Sequence, residues 1–247
     1  MTAEALNVLE LFAGIGGMSL GLERAGMRIV GHVEINPFCR AVLHRHWPEA
    51  LAHDDVRTAA AWWHSEPRPR VDVVAGGYPC QGESTLGKRL GDADPRWLWP
   101  AMGDVIHALR PTYVIGENVL GHRTRGLARV LADLADLGYT ARAGVVRACA
   151  MGAPHPRARL FVLAHTQDSR CPPGCFEPRR DHPTSSHPQE RPEHPRPDRW
   201  PTEPAVDRVA YGLPDRVDRL AALGNAVVPD VAEHIGRIVL DHHNDGR

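Results

Sequence analysis

NVLELFAGIGGMSLGLERAGMRIVGHVE, residues Asn7–Glu34, decides how this chain folds. The apolar run Leu6–Phe12 has the length and composition of a buried strand. Gly14, Gly16 and Gly17 then allow a tight turn in which backbone amides can approach a ligand. Gly17–Ala25 reads as a helix, and Arg28–Glu34 as a second strand. A strand, a crossover helix and a strand predict two parallel neighbours with a right-handed connection.

The pattern continues outward. Val71–Ala75, Tyr113–Glu117 and Leu160–His165 read as further strands, with helices at Pro37–Trp47, Trp97–Leu109 and Leu127–Leu137. Alternation of this kind predicts an α/β fold with a mainly parallel sheet and helices on both faces. Pro229–Leu240 reads as a last helix, with Pro229 at its first position and Val231, Ile235, Ile238 and Val239 on one face. Leu223–Pro229 reads as a polar turn before it. Residues 166–204 break the rhythm: ten of the 22 prolines fall there, with six arginines, seven acids and few large apolar side chains. Such a composition cannot build a core of its own and predicts loops.

Composition excludes several classes. No apolar run is long enough to span a bilayer, so the chain is expected to be cytoplasmic and free of membrane. Five cysteines at 39, 80, 149, 171 and 175 are odd in number and scattered, which argues against a disulfide framework. A net charge of −1 gives no global attraction for nucleic acid, so any such binding needs a local basic surface. Cys171, Cys175, His182 and His187 are spaced C-x3-C and H-x4-H, but the middle is too short and proline-rich for a finger, and no metal is expected.

Four further stretches carry chemistry. Glu34 stands twenty residues beyond Gly14 at a strand end, a place suited to ribose hydroxyls, and Asp55 suits an adenine amine or is a plain surface acid. In GGYPCQGES, residues 76–84, Cys80 follows Pro79 at the carboxyl end of a strand, where reacting groups collect in open α/β sheets. YVIGENV brings Glu117 to the same edge on so apolar a strand that its carboxyl should hold a proton more tightly. Arg157 and Arg159 alternate at the start of a strand and so share a face, an arrangement suited to phosphate or carbonyl oxygens.

FAGIGG, PCQ, ENV, the RAR pair and GNAVVP occur in an order that resembles the DNA (cytosine-5) methyltransferases, compact bacterial or phage type. The likeness covers residues 7–165 and 219–240. It implies a Rossmann-like S-adenosylmethionine-dependent methyltransferase fold, with a catalytic and cofactor-binding domain at 1–165. A short proline-rich target-recognition insert would follow at 166–218, and 219–247 would complete the catalytic domain. It implies Phe12, Gly14, Gly16, Glu34, Asp55, Pro79 and Asn225 around S-adenosyl-L-methionine, and a catalytic set of Cys80, Glu117, Arg157 and Arg159. Cys80 would attack carbon 6 of a flipped cytosine, Glu117 would hold ring nitrogen 3 and the amine, and Arg159 the ring oxygen. Arg157 would position a loop or a phosphate. The implied partners are double-stranded DNA and a cognate restriction endonuclease, and the implied state is a monomer.

Gly82–Leu98 fits a loop that shuts behind the base, and Arg123, Arg125 and Arg129 a basic rim. The short insert implies a short target site. Two residues depart from the family pattern: His155 where glutamine is usual, and Glu83 where an aromatic is common. Transfer RNA is the rival substrate. A non-catalytic nucleic-acid binder leaves Cys80, Glu117 and Arg159 unexplained together, and a nicotinamide or flavin oxidoreductase leaves PCQ and ENV unexplained.

Overall fold

The computed structural model describes residues 5–79, 97–166 and 216–245, the side chains of 216–220 excepted. The chain runs through β1 (Asn7–Leu11), α1 (Gly17–Ala25), β2 (Arg28–Val33), α2 (Pro37–His46), β3 (Leu51–His53), α3 (Ala59–His64) and β4 (Val73–Gly77). It continues with α4 (Trp99–Leu109), β5 (Tyr113–Val119), α5 (Leu127–Asp136), β6 (Tyr139–Arg147), β7 (Ala158–Thr166), α6 (Arg216–Asn225) and α7 (Pro229–Asp245). The strands form one seven-stranded sheet in the order β3-β2-β1-β4-β5-β7-β6. From β3 to β5 all neighbours are parallel, and β7 runs antiparallel to both β5 and β6.

Side chains on a strand alternate between faces, so each central strand feeds two cores. Leu9, Leu11, Val74 and Val114 pack with Trp63, Trp99, Met102, Ile106, Val130 and Leu134 from α3, α4 and α5. Val8, Val73, Ala75 and Ile115 face the other way and pack with Met18 and Leu22 of α1 and Val231, Ile235 and Val239 of α7. The α1–α7 contact depends on a residue without a side chain, because a Cβ at Gly21 would stand 2.3 Å from the carbonyl oxygen of Pro229. This docking brings the carboxyl-terminal part of the chain against the opening βαβ unit.

The expected strands and helices are all present, and α1 has the expected bounds. Three elements were not anticipated. β3 has only three residues, and Leu51 in it is exposed, so it leaves no apolar run. α3 is a helix of six residues. β6 is an edge strand whose residues from Arg142 to Val145 are exposed, which removes the alternation by which a strand is read. Two further expectations are corrected. Leu223–Asn225 end α6 rather than opening a polar turn, and the amide of Ala226 still bonds the carbonyl of Ala222 at 3.0 Å. α7 runs on past Leu240 to Asp245. The boundary expected at 218/219 falls inside α6. Among the described residues no helix is long and apolar enough to cross a membrane.

Candidate active site

A cleft of about 480 Å³ opens at the carboxyl ends of β1, β2, β4 and β5, on either side of the point where strand order reverses. Open α/β sheets bind ligands at such a switch point. Phe12, Gly14, Glu34, Asp55, Pro79 and Asn225 all line it, and so do Glu117 and Arg159. Gly16 and Arg157 do not. Cys80, the segment 80–96 and residues 167–215, with Cys171, Cys175, His182 and His187, lie outside the described residues.

On the β1–β2 side the backbone builds the cleft. Phe12 and Gly14 both have φ near +55°, a region open to glycine but uncommon for a bulky side chain. That turn aims the amide of Gly14 at Glu34 Oε2, 2.7 Å away, while Glu34 Oε1 accepts from the amide of Asn36 at 2.8 Å. Asn36 in turn caps α2 through the amides of Phe38 and Cys39. Ile35, between the two, is 69% exposed at the cleft wall. Asp55 accepts from the amide of Arg57 at 2.9 Å and heads a short 3-10 turn at Val56–Thr58. Gly16 serves packing instead: a Cβ there would lie 2.4 Å from the ring of Trp47.

On the β4–β5 side the side chains do the building. Gly77 and Glu117 are register partners, and a Cβ on Gly77 would meet Glu117 Oε2 at 2.8 Å. The glycine thus leaves room for the carboxyl. Glu117 Oε1 is 3.0 Å from Nε of Arg159, which reaches it from β7. Burial pushes the Glu117 carboxyl above its usual range, and the opposing pull of Arg159 and Arg157 only moderates the shift. Asn118 donates to the carbonyl of Tyr78 at 3.0 Å, which fixes the chain just before Pro79. Arg157 spends its guanidinium on backbone, with Nη2 at 2.7 Å from the carbonyl of Gly224 and 2.8 Å from that of Ala226. Of the rim arginines, Arg123 and Arg125 are exposed, and Arg129 pairs with Asp133.

Sequence reading missed a buried polar chain under the cleft. Glu10 Oε2 accepts from the amide of Ser19 at 3.0 Å and from its hydroxyl, and that hydroxyl lies 2.8 Å from His32 Nε2. Burial pushes Glu10 up to about 8 and His32 down to about 4, so at neutral pH both are largely uncharged. The acid in the middle of the apolar run Asn7–Leu11 was the available signal. Asn118 and Ile35 were missed as well, and each adjoins a residue that was singled out.

This is the architecture of a Rossmann-like methyltransferase, with a nucleotide-sized cleft beside a buried glutamate that pairs with a half-buried arginine. The chain belongs to the C-5 cytosine-specific DNA methylase family, which it matches over residues 6–207. It is 37% identical over 169 residues to the Type II methyltransferase M.Eco47II of Escherichia coli, an alignment that takes in 66% of this chain and 40% of that protein. To the Type II methyltransferase M.HgiDI of Herpetosiphon aurantiacus it is 34% identical over 173 residues, 66% of this chain and 53% of the relative. The matched part therefore spans about half the length of these curated relatives or less. Among solved structures, the S. pombe Dnmt2 methyltransferase superposes with a TM-score of 0.55 at 26% identity, over 65% of this chain and 51% of that one.

Proposed function

We propose that this protein transfers a methyl group from S-adenosyl-L-methionine to carbon 5 of a cytosine flipped out of double-stranded DNA, through a covalent adduct with Cys80. The observation that carries the reading is the buried Glu117 paired with the half-buried Arg159, which face a glycine-lined cleft one strand away from the Pro79 that leads into Cys80.

The cleft suits the cofactor on its own terms. Its volume lies in the range of small-molecule sites. The wall at Gly14 is clear, with nothing within 4 Å of where a Cβ would stand. Glu34 would meet the ribose, Asp55 the adenine amine, Phe12 and Ile35 the faces of the ring, and Asn225 would close the cleft from the carboxyl-terminal segment. Bound there, S-adenosyl-L-methionine supplies an electrophilic methyl group.

The chain's own residues do the rest. The Cys80 thiolate adds to carbon 6, the electron pair of the 5,6 double bond shifts into the 4,5 bond, and the pair of the double bond between carbon 4 and nitrogen 3 moves onto nitrogen 3. Glu117, whose burial favours the protonated carboxyl, donates to ring nitrogen 3 and steadies the charge that arrives there. Arg159, already on Glu117, holds the ring oxygen. After carbon 5 takes the methyl group, a base removes its proton and the returning electron pair expels the thiolate. The base must leave the duplex stack first, at a cost of a few kcal/mol.

In this reading residues 1–165 are the catalytic domain, 166–218 the target-recognition insert and 219–247 the segment that completes the fold. The protein acts as a monomer in the cytoplasm of a bacterial or phage-infected cell, paired with a restriction endonuclease as modification enzymes of its relatives' type are. The test is transfer of labelled methyl groups to duplex DNA and transfer RNA side by side, with Cys80→Ser as the control. Duplex DNA is expected to be methylated and to trap the enzyme covalently when it carries 5-fluorocytosine. Undiminished transfer by the serine variant would end the covalent mechanism, and labelling of transfer RNA alone would end the DNA reading.

A further inference from the structure

Arg157 and Arg159 are two residues apart, yet their guanidinium groups serve opposite sides of the cleft. Arg159 goes to Glu117 on β5. Arg157 goes to the carbonyls of Gly224 and Ala226, which flank Asn225, a residue of the cleft wall. These bonds cross 67 and 69 positions of sequence, and residues 167–215 lie between the two ends they join.

The turn they hold joins two helices, and Val227 and Val228 pack it onto the core shared by α1 and α7. α6 ends at Asn225 and α7 begins at Pro229, so Ala226–Val228 is a short link whose last-turn carbonyls need donors from elsewhere. Arg157 supplies them from one side. From the other side the link presses on α1, where a Cβ at Gly17 would stand 2.2 Å from the carbonyl oxygen of Val227. Arg157 itself has a firm base. Its carbonyl and that of Pro156 accept from the amide of Ala148, and Ala148 is buried in the core shared with α7. One guanidinium on two carbonyls is a directional clamp, and an ammonium in its place makes fewer and less oriented bonds.

We propose that Arg157 is a positioning residue for the cofactor side of the site: it clamps the α6–α7 link so that Asn225 stays in the cleft wall, and it does not contact a DNA phosphate. This rests on the reading of the cleft as the S-adenosyl-L-methionine site. It also means that the entry to β7 ties the two halves of the site together, with Arg159 in the strand on the base side and Arg157, just before it, on the cofactor side.

The experiment uses the full chain and three variants, Arg157→Ala, Arg157→Lys and Asn225→Ala, with the double variant of Arg157→Ala and Asn225→Ala. S-adenosylhomocysteine binding is measured calorimetrically without DNA, and DNA affinity across a salt series. Arg157→Ala is expected to weaken S-adenosylhomocysteine at least tenfold and raise KM for the methyl donor similarly. DNA affinity and its salt slope should stay as in the wild type. Arg157→Lys should recover part of the loss, and it decides the matter if the alanine variant fails to fold. The double variant should be little worse than Asn225→Ala, since the clamp acts through that residue. Unchanged S-adenosylhomocysteine affinity in both Arg157 variants, with a salt slope lowered by about one, would overturn the clamp and make Arg157 a phosphate contact. A wild-type protein that binds no S-adenosylhomocysteine would bring down the proposed function itself and this inference with it.

Discussion

Glu34 and Glu117 are equally buried, 9% exposed each, and both stand at the carboxyl ends of parallel strands on the cleft wall. Their partners differ in kind. Glu34 is gripped by two backbone amides, those of Gly14 and Asn36, which cannot leave without moving the turn. Glu117 is met by the guanidinium of Arg159, a side chain that can shift when a ligand arrives. Burial drives the Glu117 carboxyl toward its protonated form against that guanidinium. The comparison teaches that exposure alone does not assign a role to a buried carboxylate. A carboxylate held by fixed amides sets the shape of a site, and one desolvated beside a movable cation is ready to handle a proton.

The largest effect should come from breaking the fixed side. Glu34→Ala leaves the Gly14 and Asn36 amides without their acceptor, and each such loss costs roughly 1–2 kcal/mol in a part-buried position. Urea denaturation should show a loss of about 2–4 kcal/mol in total, and Glu34→Gln, which keeps one oxygen, about half as much. A stability equal to the wild type would mean that the two amides do not make Glu34 a structural carboxylate. Glu117→Gln should behave in the opposite way, folding normally while lowering the methylation rate by about tenfold to a hundredfold, or about 1.4–2.7 kcal/mol in barrier.

The sign with pH follows from the raised Glu117 carboxyl. The folded state binds its proton more tightly than the unfolded chain does, so this group favours folding at low pH. That contribution is lost as pH rises from 4.5 through the raised value. If the protonated form holds ring nitrogen 3, the rate falls over the same alkaline limb. Glu117→Gln should remove the limb, and Arg159→Leu should move it to higher pH, because the guanidinium is what holds the carboxyl down. A limb that stays in place in both variants belongs to another group.

How much of this was legible in the sequence depends on the range of the interactions. The β1–α1–β2 unit was plain, since an apolar run, a glycine cluster and a second apolar run lie within 28 residues. The burial of Glu117 was legible too, because YVIG before it has nowhere to go but the interior. β3 and β6 were not, because edge strands with exposed side chains carry no periodic signal. Nor could the partners of Arg157 be read: nothing local tells a guanidinium that its acceptors are backbone carbonyls 67 and 69 residues away. In the Glu10–Ser19–His32 chain the acid inside an apolar run was a signal, but its partners Ser19 and His32 look ordinary until the strands and α1 are assembled.

Asp133 offers the smallest and cleanest sharpening, because one carboxylate there meets a donor fixed by burial and a mobile cation. Its Oδ2 accepts from the indole N–H of the buried Trp99 at 2.9 Å, and its Oδ1 pairs with Nε of Arg129 at 2.7 Å. The arginine is exposed and lies four residues before the acid on α5, the less favourable order for a helical ion pair. Arg129→Ala should therefore cost no more than about 0.5 kcal/mol, and less at high salt. Asp133→Ala leaves the Trp99 N–H without its acceptor inside the core and should cost about 1–2 kcal/mol, largely independent of salt. Denaturation of both variants in low and high salt makes the check. Equal costs would mean that donor mobility does not separate structural carboxylates from responsive ones, and the contrast between Glu34 and Glu117 would then need another explanation.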